Sequence, residues 1–237
     1  MAIGVLSLLG FQLVDAAFVS HLGTQPLAAQ SFTFPVTFLM IGIQVGLGIA
    51  IAALISRAIG AGEIERSRRL GSLVLFGGTA ALGVLAVILW FARGLLFSQL
   101  GANAETLDLI SPYWAVQLPA NWLGAMLYFG YTLFRAHNNT KVPGTLMVLT
   151  SLLNLALDPV FIFGFGPVPA FGLQGAAIAT VIAFFIGLVI LCLRLSRENW
   201  LSLTELGPEI RRSTGPFATI AGPAMISQLM PPLAAMA

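Results

Sequence analysis

The sequence predicts an all-α protein: a polytopic transmembrane helical bundle made of a six-helix lobe and a partial seventh span. Three observations predict it. Of 237 residues, 58% are hydrophobic and only 8% are charged, against roughly 25% charged in an ordinary soluble domain. The chain consists mostly of long stretches without Asp, Glu, Lys or Arg, and its basic residues crowd into alternate loops. Eleven Lys and Arg with nine Asp and Glu cannot clothe a soluble globule of this size, so lipid must solvate most of the surface. The same hydrophobicity excludes a disordered or collagen-like chain. The single cysteine, Cys192, excludes an intrachain disulfide and a cysteine-based zinc site. A formal net charge of +2 is too small to suggest a nucleic-acid partner.

A bilayer-crossing helix needs about 20 mainly apolar residues. Uncharged stretches, divided where Gly and Pro cluster, give seven spans: Ala2 to Ser20, Phe32 to Ser56, Leu70 to Phe91, Leu109 to Phe134, Gly144 to Phe163, Gln174 to Leu193, and Pro216 to the end. The run His21 to Pro26 is expected to separate the first two, and Gly164 to Gly172 the fifth from the sixth. Between spans six and seven, Arg194 to Gly215 mixes charges with Trp200, Leu203 and Leu206 and reads as an interfacial linker helix. The expected organisation is therefore a lobe over residues 1–193, a linker over 194–215 and the start of a second lobe over 216–237.

Lys and Arg near span ends stay preferentially cytoplasmic. Ten of the eleven, from Arg57 to Arg212, fall in the loops after spans two, four and six, and only Arg93 faces the other side. The expectation is an integral protein of a bacterial-type inner membrane, with the start of helix 1 and the basic loops cytoplasmic. A signal peptide is not expected, because the first span has no basic lead and carries Asp15.

Asp15 and Asp158 are the two acids inside spans, and a carboxylate at that depth costs at least about 2.5 kcal/mol. Spans one and five run the same way. Asp15 lies five residues before the end of its span and Asp158 five before the end of its own, so both sit about 7 to 8 Å below the outer surface. Thr180, entering from the outer end of span six, reaches nearly the same level, and Asn154 lies one turn from Asp158 on the same face. Pro159 disfavours helical geometry at Asp158 and frees a carbonyl one turn back. All these donors are oxygens or amides, which suits a proton or a hard cation such as Na⁺ rather than a soft metal. Beyond that coupling ion, no cofactor and no other metal are expected.

Other mid-membrane polar groups are Gln44 on span two and Gln117 and Asn121, one turn apart, on span four, whose surface also carries Tyr113, Trp114, Trp122, Tyr128 and Tyr131. They would suit a cavity for amphipathic organic cations, though such residues more often serve as hydrogen bonds between helices and as aromatic anchors at the interface. Enzymatic chemistry is not expected: the sequence has no P-loop, dinucleotide glycine motif or nucleophile elbow. His21 and His137 fall on opposite sides of the membrane, so they cannot share a metal.

Four stretches resemble the multidrug and toxic compound extrusion (MATE) family of cation-coupled antiporters. They are VDAAFVSHLGTQPLAAQS at Val14 to Ser31, ISRAIGAGEIERSRR at Ile55 to Arg69, FRAHNNTKVP at Phe134 to Pro143, and NLALDPVFIFG with LQGAAIATVIA between Asn154 and Ala183. The resemblance implies a cation-binding cluster of Asp15, Asn154, Asp158 and Thr180. It departs at Asn138, where a glycine is usual, and at Ser20. It also implies that this is half of a 12-span transporter, whose second lobe is required for transport and whose full-length form is monomeric. The expected activity is exchange of H⁺ or Na⁺ for small amphipathic, cationic organic compounds, with membrane lipid as the only other partner. Competing expectations are a lipid or oligosaccharide-lipid flippase of the same superfamily, which would need basic residues in mid-span, and a non-transporting membrane fragment.

Overall fold

The computed structural model describes residues 14–234, and all regular structure among them is helical. Seven helices follow one another: α1 over residues 14–20, α2 Thr24–Gly60, α3 Ile64–Gln99, α4 Ala104–Ala136, α5 Lys141–Phe163, α6 Leu173–Leu195 and α7 Leu206–Ala234. Most of the first expected span lies outside the described residues. The others appear in the expected order and are longer than the uncharged stretches, because a helix continues past the apolar slab into its charged ends.

Two differences have local causes. The run His21 to Pro26 is a break of only three residues: Gly23 takes φ 110° as the N-cap, and α2 starts at Thr24. Pro26 falls in the first turn of α2, where its missing N–H costs nothing. The expected linker helix over Arg194 to Gly215 is corrected. Arg194 lies in the last turn of α6, which ends at Leu195, residues 196–205 carry no regular helix, and α7 starts at Leu206 and continues unbroken through Pro216. Glu205 takes φ 53° just before that start, and Pro208 in the first turn suits a helix beginning there.

Among the described residues, four helices, α2, α3, α5 and α6, are long and apolar enough to cross a membrane. Their outward surfaces match a lipid solvent. Val84, Val87, Ile88, Phe91 and Leu95 form an exposed stripe along α3, and Phe185, Val189 and Leu193 another on α6, at the spacing of one helical face. In water such a surface would be an aggregation site.

α4 is less apolar and is the inner helix. It packs against α2, α3 and α6, while α5 packs on α6 and α7 on α2. Trp114, Ala120, Ala125, Phe129, Leu133 and Phe134 of α4 are all but fully buried, so neighbouring helices shield its polar groups from lipid. The core has two layers. One, at the end bearing the basic loops, gathers Ile55, Leu70, Leu133, Phe134 and Leu195; the other, at the opposite end, gathers Val19, Ala29, Phe97, Trp114, Ile162 and Leu173.

Close helix contacts depend on glycine. The Trp122 and Phe129 rings of α4 press on Gly83 and Gly78 of α3, where Leu73–Gly78 widens into a π turn. Trp122 Nε1 donates to the Thr79 carbonyl at 2.9 Å, satisfying one carbonyl beside the widened turn. At the basic end, Asn138 takes φ 59°, the left-handed geometry that asparagine tolerates in place of glycine.

Candidate cation site remote from the basic loops

α1, α2, α5 and α6 converge in the layer remote from the basic loops. Phe18, one turn after Asp15, meets Phe163 edge to face with ring centroids 6.2 Å apart. Leu22 reaches toward Gly172, just before α6. These contacts bring the end of α1 against the α5–α6 connection, consistent with a shared depth for the two acids. The connection itself is pinned back on α5: Phe171 N donates to the Phe161 carbonyl at 3.0 Å, and Gly172 N to that of Ile162 at 3.1 Å.

Asp158 is 0% exposed and Asn154 is buried beside it. The orientation of the Asn154 amide that suits an ionised Asp158 points its nitrogen at the carboxylate, 2.7 Å from Oδ2 and 3.2 Å from Oδ1. Its carbonyl oxygen then accepts from Thr180, with Oγ1 at 2.9 Å. Turned the other way, the amide donates to Thr180 Oγ1, which donates to the Ala176 carbonyl at 3.0 Å. A protonated Asp158 could then donate to the amide oxygen. Asn154 thus offers a partner to either form of the acid. α5 runs through Pro159 as one continuous helix.

Asp15 does not join that chain of hydrogen bonds among the described residues. It is half-buried, and its Oδ2 accepts from Gln30 Nε2 of α2 at 3.2 Å. Gln30 is 3% exposed. Sequence reasoning missed Gln30 because it started the second span at Phe32, two residues later. The signal was nevertheless present: Gln30 falls among apolar residues one helical face from Pro26 and Phe34.

The polar residues expected to line a substrate cavity lie on α4 and α2. Gln117 Nε2 donates to Asn121 Oδ1 at 3.0 Å within α4, and Asn121 Nδ2 reaches Thr37 Oγ1 of α2 at 3.4 Å. Gln44 is half-buried on α2, one turn from Met40. Among the described residues, no group of three or more His, Cys, Asp or Glu could hold a metal.

A second polar cluster, which sequence reasoning took as a basic loop and an interfacial linker, fastens residues 196–213 to the lobe. Glu209 is buried and accepts from Arg66 Nε at 3.0 Å and from Ser213 Oγ at 2.6 Å. Arg66 also pairs with Glu63 at 2.9 Å, and Arg69 with Glu205. The Arg66 hydrogen bond holds the Glu63 carboxyl below the usual carboxylate range. Trp200 stacks on His137, 4.0 Å between centroids and 11° from parallel, and meets Phe134 edge-on.

Comparison with known proteins bears on the whole arrangement. The MatE family model matches residues 1–160. A crystal structure of a mutant of the MATE transporter VcmN from Vibrio cholerae superposes with a TM-score of 0.93 at 49% identity, covering 99% of this chain and 52% of that one. The chain is also 36% identical over 243 residues to a protein named FAD transporter from Shewanella oneidensis, across 98% of this chain and 52% of the relative. To the multidrug export protein MepA of Staphylococcus saprophyticus it is 31% identical over 214 residues, across 88% of this chain and 46% of the relative. The chain spans about half the length of the curated relatives it matches. With apolar helices long enough to cross a bilayer and lipid-compatible outer faces, it is an integral membrane protein, and it belongs to the MatE family.

Proposed function

We propose that the chain is one lobe of a secondary active multidrug exporter that exchanges H⁺ or Na⁺ for amphipathic, cationic organic compounds. The observation that carries the reading is an acid, Asp158, with no exposed surface inside a membrane-spanning helix, beside Asn154 and Thr180. An ionised carboxylate there is expensive, and a bound cation relieves the cost. Asp15, at a similar depth on α1, supplies the second acid. Resemblance to MepA, a protein named for multidrug export, supports the substrate class. Exchange follows from linkage: a cavity that binds the organic cation best when the acids are empty releases it when they are filled.

The reading carries further commitments. The basic loops face the cytoplasm of a bacterial-type inner membrane, transport needs a second lobe, the full-length form is monomeric, and no cofactor or covalent chemistry is involved. The test is cation-driven efflux from vesicles carrying the natural protein that contains this chain. Asp15→Asn and Asp158→Asn should each abolish coupling, and full coupled export by both variants sinks the mechanism.

A second reading is export of an anionic flavin dinucleotide, favoured by the relative named FAD transporter. The same vesicles distinguish the two: transport of FAD without transport of a lipophilic dye cation selects it.

A further inference from the structure

We infer that Gln30 is a ligand of the coupling cation, its side-chain carbonyl oxygen joining Asp15 Oδ1 to hold the ion between α1 and α2. The inference rests on the proposed role of Asp15 and extends that site to a helix and a residue type not otherwise assigned to it.

The argument starts from hydrogen-bond accounting. Gln30 Nε2 donates to Asp15 Oδ2 at 3.2 Å, which uses one of the two heavy atoms at the end of each side chain. The remaining atoms, Gln30 Oε1 and Asp15 Oδ1, are both oxygens, both buried, and both without a hydrogen-bond partner among the described residues. Gln30 as a whole is 3% exposed, so bulk water does not satisfy it. Two orphaned acceptors on bonded partners form an unstable arrangement, because a buried polar group left unpaired keeps its full desolvation cost.

A second hydrogen-bond donor would satisfy one of them, whereas a small hard cation suits both. A proton on Oδ1 gives an O–H that can donate to the amide oxygen, so acid and amide then exchange two hydrogen bonds. A sodium ion accepts the same carboxylate and carbonyl oxygens as ligands. The shared chemistry is a monovalent hard cation on one carboxylate and one amide oxygen. The contrast with Asp158 supports the assignment: its neighbour Asn154 has a further partner in Thr180 that occupies the other end of its amide, while the amide of Gln30 has an end to spare. Because Gln30 belongs to α2 and Asp15 to α1, filling the site ties the two helices together.

The test uses vesicles carrying the natural protein, with efflux measured against cation concentration in two arms: a pH series in sodium-free medium and a Na⁺ series at fixed pH. The arm that drives efflux identifies the ion. Gln30→Met keeps the length and volume of the side chain and removes its oxygen. It should raise the half-saturating cation concentration roughly five-fold, more than it lowers the maximal rate. Gln30→Glu keeps an oxygen and adds charge, and should move half-saturation the opposite way. A purely structural Gln30 predicts shifts in one direction for both variants, and that result, or no shift in either, overturns the inference. Asp15→Asn separates the two levels: loss of coupling with unshifted Gln30 variants overturns the inference alone, whereas retained coupling overturns the proposed role of Asp15 as well.

Discussion

Gly175→Ala is the sharpest probe of how the fold holds the candidate site. A Cβ at Gly175 would lie 2.2 Å from the Phe161 carbonyl oxygen, 2.4 Å from its carbon and 2.7 Å from Ile162 N. Ordinary contact begins near 3.4 Å, so α5 and α6 would have to separate by roughly 1.2 Å at that level. The neighbours are backbone atoms fixed by the Phe171 and Gly172 hydrogen bonds, so no rotamer change relieves the clash. The expected cost is about 3 kcal/mol, the upper end of overpacking. The same displacement would stretch the 2.9 Å contact between Asn154 and Thr180 to roughly 4 Å, beyond hydrogen-bond range.

Gly130→Ala provides the control. Its Cβ would also meet an atom at 2.2 Å, but that atom is Leu191 Cδ2, the end of a flexible side chain. Leu191 can rotate away, and the cost should be about 1 kcal/mol. Unfolding of both variants in mixed micelles measures the difference, and cation-driven efflux measures the effect on the site. Equal destabilisation of the two variants, or a Gly175→Ala protein as stable as the parent, would refute the claim that backbone contact sets the spacing of α5 and α6.

Four further outcomes follow from other contacts. Thr180→Val removes the hydroxyl shared by Asn154 and the Ala176 carbonyl; coupled efflux should weaken by roughly five-fold without being abolished, since Asp158 itself remains. Asn121→Leu removes the bonds to Gln117 and Thr37 and should cost only about 0.6 kcal/mol of stability; a changed substrate profile at unchanged stability would place Asn121 in the cavity instead. Glu209→Gln weakens the buried anchor of residues 196–205, and hydrogen exchange around Trp200 should speed up by about ten-fold or more, since hydrogen bonds to charged groups contribute about 1.5–3 kcal/mol. Acid should loosen the same anchor: Glu63 is held below its usual range by Arg66, so its contribution is complete above the ordinary carboxylate pKa and is lost as pH falls through the lowered value. Exchange that is unchanged on acidification would remove the ion pairs from that role.

The sequence alone determined the membrane environment and the order of the helices, and gave the two acids an expected common depth. Each follows from a one-dimensional quantity: apolar run length, charge placement along the chain, and rise per residue from a span end. Asn154 and Asp158 lie one turn apart on one helix, so their proximity was legible without a fold. The sequence misjudged where helices begin, because it counted uncharged residues while helices extend into water at both ends. That misjudgement left Gln30 outside the second span and made residues 196–205 a helix.

Tertiary structure decided which helix faces which. No periodicity in the chain says that α4 is enclosed by α2, α3 and α6, so Gln117 and Asn121 could equally have lined a cavity or bridged to Thr37. Nor could it say that Gly175 touches bare backbone while Gly130 touches the end of a leucine side chain. The reason is physical. Lipid is as apolar as the helix faces it meets, so hydrophobicity cannot choose among packing partners, and the choice falls to steric fit at small residues and to a few interhelical hydrogen bonds.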